Sequence, residues 1–394
     1  GAVQTLAGNG NISITVDAGA LTVNANVTAH GSGSVSLTAN TGSLTQSAAS
    51  TIRSTSGNLS VNADSFSQAG ALITGEEGTI SVTTDIGAIT MVDGATTATE
   101  AGAITYYAAT NIALASIISI SGALTLTANN GAITDATAAE TPNLSTTGQV
   151  TLTAATGIGA SGAGDIDTAI ATLTATNKTS SGIFIHEVDD VVLNGTGVRT
   201  LAGNGSIDVR VEAGDLTADA VVTAHGNGSI TLNVVAGTLT TNDVVSSTAG
   251  TISFTADVIA QNAAVGTSSA AITYTTDVGS ITMADGAVTS TTTGAVTFTA
   301  ATDIALGVIN SASGAITLTA ITGAIIDNTA AETANLSTTG QVTLAAATGI
   351  GAAGDADIDT TITNLQATNN VSGGIYLHET NGLVVNGTGL RTLA

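Results

Sequence analysis

The chain has 394 residues but no cysteine, no tryptophan and a single proline, and aromatic residues make up only 2% of it. Without cysteine there are no disulfides, which a long repeat fold does not need. With so few rings, the predicted core consists of valine, isoleucine, leucine and alanine and is thin and uniform. Abundant glycine (47 residues) with almost no proline is typical of many tight turns joined by continuous backbone pairing.

Positive charge is equally scarce. Only five residues are lysine or arginine against 29 aspartates and glutamates, which gives a formal net charge of −24. Nucleic-acid backbones and anionic membrane surfaces both require clustered basic side chains, so the composition excludes both as partners. No apolar run approaches the length that a membrane-spanning helix needs, so no membrane insertion is expected.

The sequence contains a large tandem repeat. Residues 5–10 (TLAGNG) return as residues 200–205, an offset of 200 − 5 = 195. Between residues 122–168 and 314–360, 37 of 47 positions are identical at an offset of 192. We therefore expect two equivalent domains, 1–195 and 196–394, joined without a true linker. Because residues 390–394 (LRTLA) resemble the opening of the next unit, we also expect coils to continue end to end, into an adjacent repeat or another copy.

A shorter period lies inside each repeat. Glycine is followed by alternating apolar and hydroxyl residues, as in residues 122–128 (GALTLTA), and a second glycine-led strand begins nine residues later. Such alternation predicts strands with one buried face. The long strands recur with a period of roughly 20–26 residues, which predicts an all-β, right-handed parallel β-solenoid with glycine at its corners. At roughly 4.8 Å per coil, about 17 coils predict a rod on the order of 80 Å long. A string of antiparallel β-sandwich domains is the structural alternative.

These coils resemble the filamentous-haemagglutinin-like β-solenoids of giant secreted bacterial surface proteins. The block containing residues 165–168 (DIDT), 171–177 (ATLTATN) and 182–187 (GIFIHE), repeated near residues 374–379 (GIYLHE), looks like a recurring block of such exoproteins. The resemblance implies an extracellular stalk or filament at the bacterial cell surface that serves in adhesion, contact or coating.

One constellation of residues supports a chemical interpretation. Asp165 and Asp167, with Asp357 and Asp359 in the second copy, stand at alternate positions of a predicted strand, so each pair faces one side. His186 and Glu187 accompany the first pair. Calcium, which prefers six to eight oxygen ligands, is one interpretation, and aspartates that accept backbone N–H bonds in turns are the other. We expect no cofactor and no metal requirement for folding.

Other chemistries find less support in the sequence. A glycosidase requires tuned carboxylates in a sugar-binding cleft, and here the basic residues are scattered and aromatic sugar platforms are missing. We therefore expect no catalytic residues and no enzyme. Outward Ser/Thr pairs such as Thr125/Thr127 suggest an ice-binding face, but Asn24, Asn62 and Tyr107 interrupt the arrays. His30 and His225 recur in the same context and are expected at surface corners.

The sequence thus predicts a structural and adhesive repeat module of a long extracellular bacterial protein, acting as stalk or fibre. Its expected partners are copies of itself or adjacent repeats end to end, and cell-surface or matrix glycans. Three alternatives remain: a calcium-stiffened adhesin stalk of stacked β domains, an ice-binding face, and a polysaccharide-active solenoid enzyme.

Overall fold

The computed structural model describes residues 2–393, which form 41 strands and contain no helix. The strands pair in parallel, and coils stack about 23 residues apart. This arrangement is a β-solenoid of about 17 turns. The predicted fold class is therefore confirmed. Because residues 2–393 form no helix, they contain none that could span a membrane.

Most strands are short because every coil turns several times, and a few, such as Val35–Gln46 and Ile166–Asn177, continue through a corner. The first twenty strands are β1 (Val3–Gln4), β2 (Ile12–Val16), β3 (Leu21–Val23), β4 (Val27–Ala29), β5 (Val35–Gln46), β6 (Thr51–Ser54), β7 (Leu59–Gln68), β8 (Ala71–Ile73), β9 (Ile80–Thr84), β10 (Ile89–Met91), β11 (Thr96–Thr99), β12 (Ile104–Ala108), β13 (Ile112–Leu114), β14 (Ser116–Ser119), β15 (Leu124–Ala128), β16 (Ile133–Asp135), β17 (Leu144–Ala154), β18 (Ile166–Asn177), β19 (Ile183–Glu187) and β20 (Val191–Thr200).

The remaining strands follow the same rhythm. They are β21 (Ile207–Val211), β22 (Leu216–Ala218), β23 (Val222–Ala224), β24 (Ile230–Val234), β25 (Thr238–Thr241), β26 (Val245–Ser247), β27 (Ile252–Ala256), β28 (Val258–Gln261), β29 (Val265–Thr267), β30 (Ile272–Thr276), β31 (Ile281–Met283), β32 (Val288–Thr291), β33 (Val296–Ala300), β34 (Ile304–Leu306), β35 (Val308–Ser311), β36 (Ile316–Ala320), β37 (Ile325–Asp327), β38 (Leu336–Ala346), β39 (Ile358–Asn369), β40 (Leu377–Glu379) and β41 (Val384–Thr392).

The chain divides into two compact units. Unit 1 comprises the chain through Val191 together with Thr200–Ala202, and unit 2 comprises Val192–Arg199 and the chain from Gly203 onward. Each unit has three parallel ladders. In unit 1 they are β2–β5–β7–β9–β12–β15–β17–β18, β3–β5–β7–β10–β13–β16 and β1–β4–β6–β8–β11–β14–β17–β18–β19.

Unit 2 repeats this plan. Its ladders are β21–β24–β27–β30–β33–β36–β38–β39–β41, β22–β25–β28–β31–β34–β37 and β23–β26–β29–β32–β35–β38–β39–β40. Each inner strand pairs with the coil before it and the coil after it. The backbone N–H and C=O groups are thereby satisfied along the ladder, which a single coil cannot achieve alone.

The predicted register is confirmed in the long-strand ladder of unit 1. Leu124 pairs with Ile104 in the previous coil and with Val150 in the next. The differences in residue number, 124 − 104 = 20 and 150 − 124 = 26, are the two ends of the predicted range. Coil length therefore varies in the turns while the inward positions stay aligned.

The predicted inward and outward phase is also confirmed. Leu124 and Leu126 are fully buried, whereas Thr125 and Thr127 between them are partly exposed. Leu126 pairs with Tyr106 on one side and Leu152 on the other. Like residues therefore stack on like along the coil axis, and every inward residue packs against its counterparts in two neighbouring coils.

The expectation of a core made only of valine, isoleucine, leucine and alanine is wrong. The core is not purely aliphatic, because Tyr106, Tyr274, Phe66, Phe254 and Phe298 are its largest fully buried side chains. Phe254, Tyr274 and Phe298 form a continuous stack in unit 2, with ring centroids 4.7 Å and 4.2 Å apart. Three consecutive coils place a ring at the same inward position. The few rings are thus concentrated where one coil's ring packs on the next.

Both buried tyrosine hydroxyls have partners. Tyr106 Oη donates to Gln68 Oε1 at 2.7 Å and lies 2.6 Å from Thr97 Oγ1. Tyr274 Oη donates to Gln261 Oε1 at 3.0 Å. Burial raises the pKa of both phenols, because the interior disfavours the phenolate. A glutamine inside each unit therefore makes the core compatible with tyrosine.

A column of glycines forms one corner of the solenoid. A Cβ atom on Gly102 would collide with the carbonyl oxygen of Gly78 in the coil below, and one on Gly122 would collide with that of Gly102. None of these glycines has a positive φ. The corner therefore requires glycine for close approach between coils and not for a left-handed backbone. The column comprises Gly33, Gly57, Gly78, Gly102, Gly122 and Gly148 in unit 1, and Gly228, Gly250, Gly294, Gly314 and Gly340 in unit 2.

Buried hydroxyls join the corner to its neighbour. Ser119 Oγ donates to the carbonyl oxygen of Gly102 at 3.2 Å and accepts the N–H of Gly122 at 2.8 Å. Ser54 makes the same two bonds, to Gly33 and from Gly57, both at 2.7 Å. Each hydroxyl therefore satisfies one donor and one acceptor that the turn leaves outside the ladders.

Leu126→Asp and Thr127→Asp test the core phase. Leu126→Asp buries an unpaired charge between two coils and should destabilise unit 1 by several kcal/mol, about 3 or more. Thr127→Asp places the same charge at a partly exposed outward position and should shift the unfolding midpoint only slightly. Thermal unfolding followed by circular dichroism measures both. Equal tolerance of the two substitutions would show that the phase is wrong.

Gly102→Ala tests the glycine column. The added methyl group forces two coils apart, and overpacking of this kind costs about 1–3 kcal/mol. Gly382→Ala is the matched control, because a Cβ at Gly382 meets nothing within 4 Å. Thermal unfolding should show a lowered midpoint for Gly102→Ala alone. Equal midpoints for the two variants would contradict the close-approach argument.

Candidate functional site

The acidic residues singled out in the sequence lie at the start of β18. Asp165 immediately precedes this strand and Asp167 is its second residue. Asp167 pairs in register with His186 of β19. The side chains of these partners meet, with Asp167 Oδ1 2.9 Å from His186 Nδ1. Parallel stacking thus brings together two residues 19 positions apart in the sequence.

A third carboxylate completes a four-residue cluster. Donor atoms of Glu140, Asp165, Asp167 and His186 all lie within 4.8 Å of one another. Glu140 comes from the segment between β16 and β17, and no sequence pattern signals its participation. It carries no strand alternation and stands outside the two acidic pairs.

The loop that carries Glu140 is fixed from its two ends. Asp135 Oδ1 accepts the N–H of Thr137 at 2.8 Å and the side-chain amide of Asn143 at 2.8 Å. Asn143 Oδ1 in turn accepts the N–H of Asp167 at 3.0 Å. The expected turn role for an aspartate is therefore played by Asp135, whereas the Asp167 carboxylate contacts the imidazole of His186.

Asp167 is buried although it stands at an outward position. Its relative exposure is 2%, and Ile166 and Thr168 on either side are buried too. Asp167 Oδ1 contacts His186, but Oδ2 is buried and accepts no hydrogen bond. Burial raises the pKa of the Asp167 carboxyl, the hydrogen bond from His186 opposes this, and the nearby charge of Glu140 raises it further. The site therefore holds a carboxylate oxygen that the protein leaves unsatisfied.

The second repeat builds the corresponding cluster from Asp357, Asp359 and His378, whose donor atoms also lie within 4.8 Å of one another. Asp359 Oδ1 is 2.9 Å from His378 Nδ1, and Asp359 is 3% exposed. Asp359 Oδ2 and Asp357 Oδ1 are buried and accept no hydrogen bond. The same arrangement therefore occurs twice in one chain.

The two clusters differ in how far they are exposed to solvent. The His186 side chain is 17% exposed, whereas that of His378 is 60% exposed. Glu332, which corresponds to Glu140, is exposed and is not one of the clustered residues. The first cluster is consequently the more enclosed of the two.

Glu187 has a separate, structural role. Its carboxylate accepts hydrogen bonds from Thr168 Oγ1 at 2.7 Å, from the N–H of Ile170 at 3.1 Å and from the N–H of Val188 at 2.9 Å. Glu379 repeats the contacts with Thr360 and Ile362. Burial raises the pKa of Glu187 to about 8, and the Thr168 hydroxyl opposes this. Glu187 therefore closes a turn next to the cluster without being one of its members.

The other sequence candidates lie apart from these clusters. The backbone N–H of His30 donates to Thr5 Oγ1 at 2.9 Å, and the ring nitrogen Nδ1 of His225 lies 2.9 Å from the carbonyl oxygen of Gly203. His225 is exposed and His30 partly exposed, as expected for corner residues. Neither belongs to a group of three or more potential metal ligands among residues 2–393.

The outward hydroxyls stack in register, as their spacing suggests. In unit 2, the pairs Ser253/Thr255, Thr273/Thr275, Thr297/Thr299 and Thr317/Thr319 occupy corresponding positions of four successive coils. In unit 1, Tyr107 stands between Thr83 and Thr127 in the same rank and is exposed. The array is thus regular over four coils of unit 2, between Asn233 and Ala345 in the same rank, and is interrupted by Tyr107 in unit 1.

Unit 1 also has an open groove of about 540 Å³. Its wall combines hydroxyl and aliphatic side chains, with Asp189 and Asp190 at its margin, and its lining includes no aromatic ring. The groove therefore lacks the stacking platform that many sugar sites use.

Glu187→Gln tests the electrostatic state of the buried carboxylate. A raised folded-state pKa means that the folded protein binds more protons than the unfolded chain between the ordinary glutamate pKa and about 8. The stability of the wild type should therefore fall as the pH rises through this window, by about 1–3 kcal/mol relative to the variant. Melting temperatures between pH 5 and 9 measure the difference. Parallel pH profiles would contradict the assignment.

Comparison with known proteins adds no relative. No protein-family model, no curated protein and no solved structure matches the chain. The architecture of a tandem-repeat β-solenoid therefore stands on the structure itself, and the resemblance to filamentous-haemagglutinin-like proteins stands on the sequence motifs.

Proposed function

We propose that the chain is a structural and adhesive repeat module of a long extracellular bacterial surface protein, of the filamentous-haemagglutinin-like kind, acting as a stalk or fibre. The repetition of the whole coil pattern supports this, because an array of equivalent units extends a surface and does not specialise one site. The acidic composition, with a net charge of −24, supports a well-hydrated surface that stays in solution. The catalytic alternative lacks a comparable supporting feature.

The observation that carries the proposal is the way in which like coils cover one another inside the chain. Leu193, near the end of the first repeat, is fully buried. The Asp219 N–H of the following coil donates to the carbonyl oxygen of Leu193 at 3.0 Å, and both residues belong to unit 2. A coil at the end of one repeat is thus covered by a coil of the next without a linker, and an adjacent repeat or a second copy could make the same contact. Val385 is the residue of the second repeat that corresponds to Leu193, and it is 48% exposed.

Val385→Asp tests end-to-end stacking. If the β41 face accepts the first coil of another copy, concentrated wild-type protein should form head-to-tail oligomers or fibres, because such a contact is heterologous and does not close. The added charge should abolish them without lowering the unfolding midpoint of the monomer. Val278→Asp is the matched control, since Val278 is also exposed but lies in a turn between β30 and β31.

Sedimentation velocity and electron microscopy measure the outcome. Oligomers lost in Val385→Asp and kept in Val278→Asp are the expected result. Persistently monomeric wild-type protein would contradict stacking between copies. Binding of glycans, the other proposed partner, is tested separately by isothermal titration calorimetry of surface polysaccharides into the wild type, and the absence of a heat of binding would contradict it.

A second candidate function has one specific observation in its favour. The four hydroxyl pairs from Ser253/Thr255 to Thr317/Thr319 form a regular two-rank array on the long-strand face of unit 2. Such an array suits an ordered layer of water. A measurable thermal hysteresis that disappears in Thr297→Tyr would support ice binding, and its absence would leave the stalk as the function.

A further inference from the structure

We propose that each repeat contains a binding site for a divalent first-row transition-metal ion of the zinc class, formed in the first repeat by Glu140, Asp165, Asp167 and His186. In the second repeat, Asp357, Asp359 and His378 form the site. The proposal is independent of the stalk function, because it rests on these two clusters alone.

The ligand groups of the first cluster converge from three segments of the chain. The four donor groups of the first cluster come from the loop before β17, the start of β18 and β19, and their ligand atoms lie within 4.8 Å of one another. Ligands at about 2.0–2.2 Å from one ion stand roughly 3–4 Å apart, so only small side-chain movements separate the geometry of the cluster from coordination.

Each cluster contains a buried carboxylate oxygen without a hydrogen-bond partner. Asp167 is 2% exposed, and its Oδ2 accepts no hydrogen bond, while Asp359 Oδ2 and Asp357 Oδ1 show the same condition in the second repeat. A buried polar atom without a partner is energetically unfavourable, and more so when it carries charge. A bound cation removes this cost in both repeats. This observation separates the clusters from ordinary exposed acidic patches.

The first cluster concentrates negative charge. Glu140, Asp165 and Asp167 bring up to three negative charges into one small volume beside a single imidazole. Like charges at this distance repel. A dication neutralises most of this charge. Hydrogen bonds within the cluster, such as that between Asp167 and His186, redistribute the charge but do not remove it.

The types of ligand atom indicate which class of ion the sites bind. Calcium takes six to eight oxygen ligands, and a site built around an imidazole does not offer them. A mixture of one nitrogen and two or three carboxylate oxygens suits zinc and its first-row neighbours. The imidazole therefore favours a transition-metal ion over the calcium suggested by the aspartates alone. With its extra carboxylate and its less exposed histidine, the first site should bind more tightly than the second.

The test is metal titration of the full chain. Protein stripped with a chelator is titrated with Zn²⁺ and, separately, with Ca²⁺ by isothermal calorimetry, and bound metal is counted after dialysis. We expect two Zn²⁺ per chain, bound at least tenfold more tightly than Ca²⁺. Asp167→Asn should remove one ion, and Asp167→Asn with Asp359→Asn should remove both. The matched control is Asp93→Asn with Asp285→Asn, which changes corresponding exposed turn residues.

Folding is controlled independently, because each variant must keep the circular-dichroism spectrum of the wild type. Co²⁺ supplies a second readout, since its visible absorption reports nitrogen coordination. His186→Gln with His378→Gln should change that spectrum and weaken Zn²⁺ binding at least tenfold while leaving weak Ca²⁺ binding unchanged. Zn²⁺ binding that survives both double substitutions, tighter binding of Ca²⁺ than of Zn²⁺, or no binding to the folded wild type would each overturn the proposal.

Discussion

The close approach of successive coils at the glycine corner is the constraint on which the rest of the structure depends. Neighbouring strands in a ladder lie about 4.8 Å apart, and the corner must keep to this spacing although its backbone no longer pairs. Gly102 meets the spacing because its missing side chain leaves room for the carbonyl oxygen of Gly78. Ser119 then uses that closeness to bridge the two turns. The inward leucines and isoleucines stay stacked only as long as every corner holds the same distance.

The one alanine in this column shows what the distance controls. Ala270 stands between Gly250 and Gly294 in the ladder order. Thr267, which should bridge this corner, has a buried hydroxyl without a hydrogen-bond partner. The next bridging hydroxyl, Thr291, makes bonds of 3.2 Å to Ala270 and from Gly294, the same length as the bond from Ser119 to Gly102 at a corner that contains only glycine. The column therefore admits this one methyl group, and the hydrogen bonds missing at its corner are those of Thr267.

Much of the fold could be predicted from the sequence, because the repeated glycines and the strict alternation report local geometry directly. Leu126 and Thr127 were placed on the correct sides by alternation alone. The aromatic core could not be read in the same way. The composition gives only the number of aromatic rings. Phe254, Tyr274 and Phe298 stack on one another because the register of the coils places them at the same inward position.

The site shows a different balance between local and long-range information. The alternation of residues 183–187 places Glu187 inward with Ile183 and Ile185, so its burial was readable from the sequence. The contact between Asp167 and His186 depends on a short coil that pairs them in register. The sequence of this coil lacks the regular alternation from which its register could have been predicted. Glu140 depends on a loop fixed by Asp135 and Asn143, where no periodic signal exists.

The clusters therefore arise where the solenoid departs from its own regularity. In a regular coil an outward residue such as Thr125 faces solvent, and a carboxylate there would be hydrated and chemically ordinary. At β18 the loop before β17 folds over the outward face, buries Asp167 and leaves one of its oxygens without a donor. Because the large repeat copies this departure together with the coils, Asp359 inherits the same condition. Each further copy of the large repeat would therefore add one more acidic cluster of this kind.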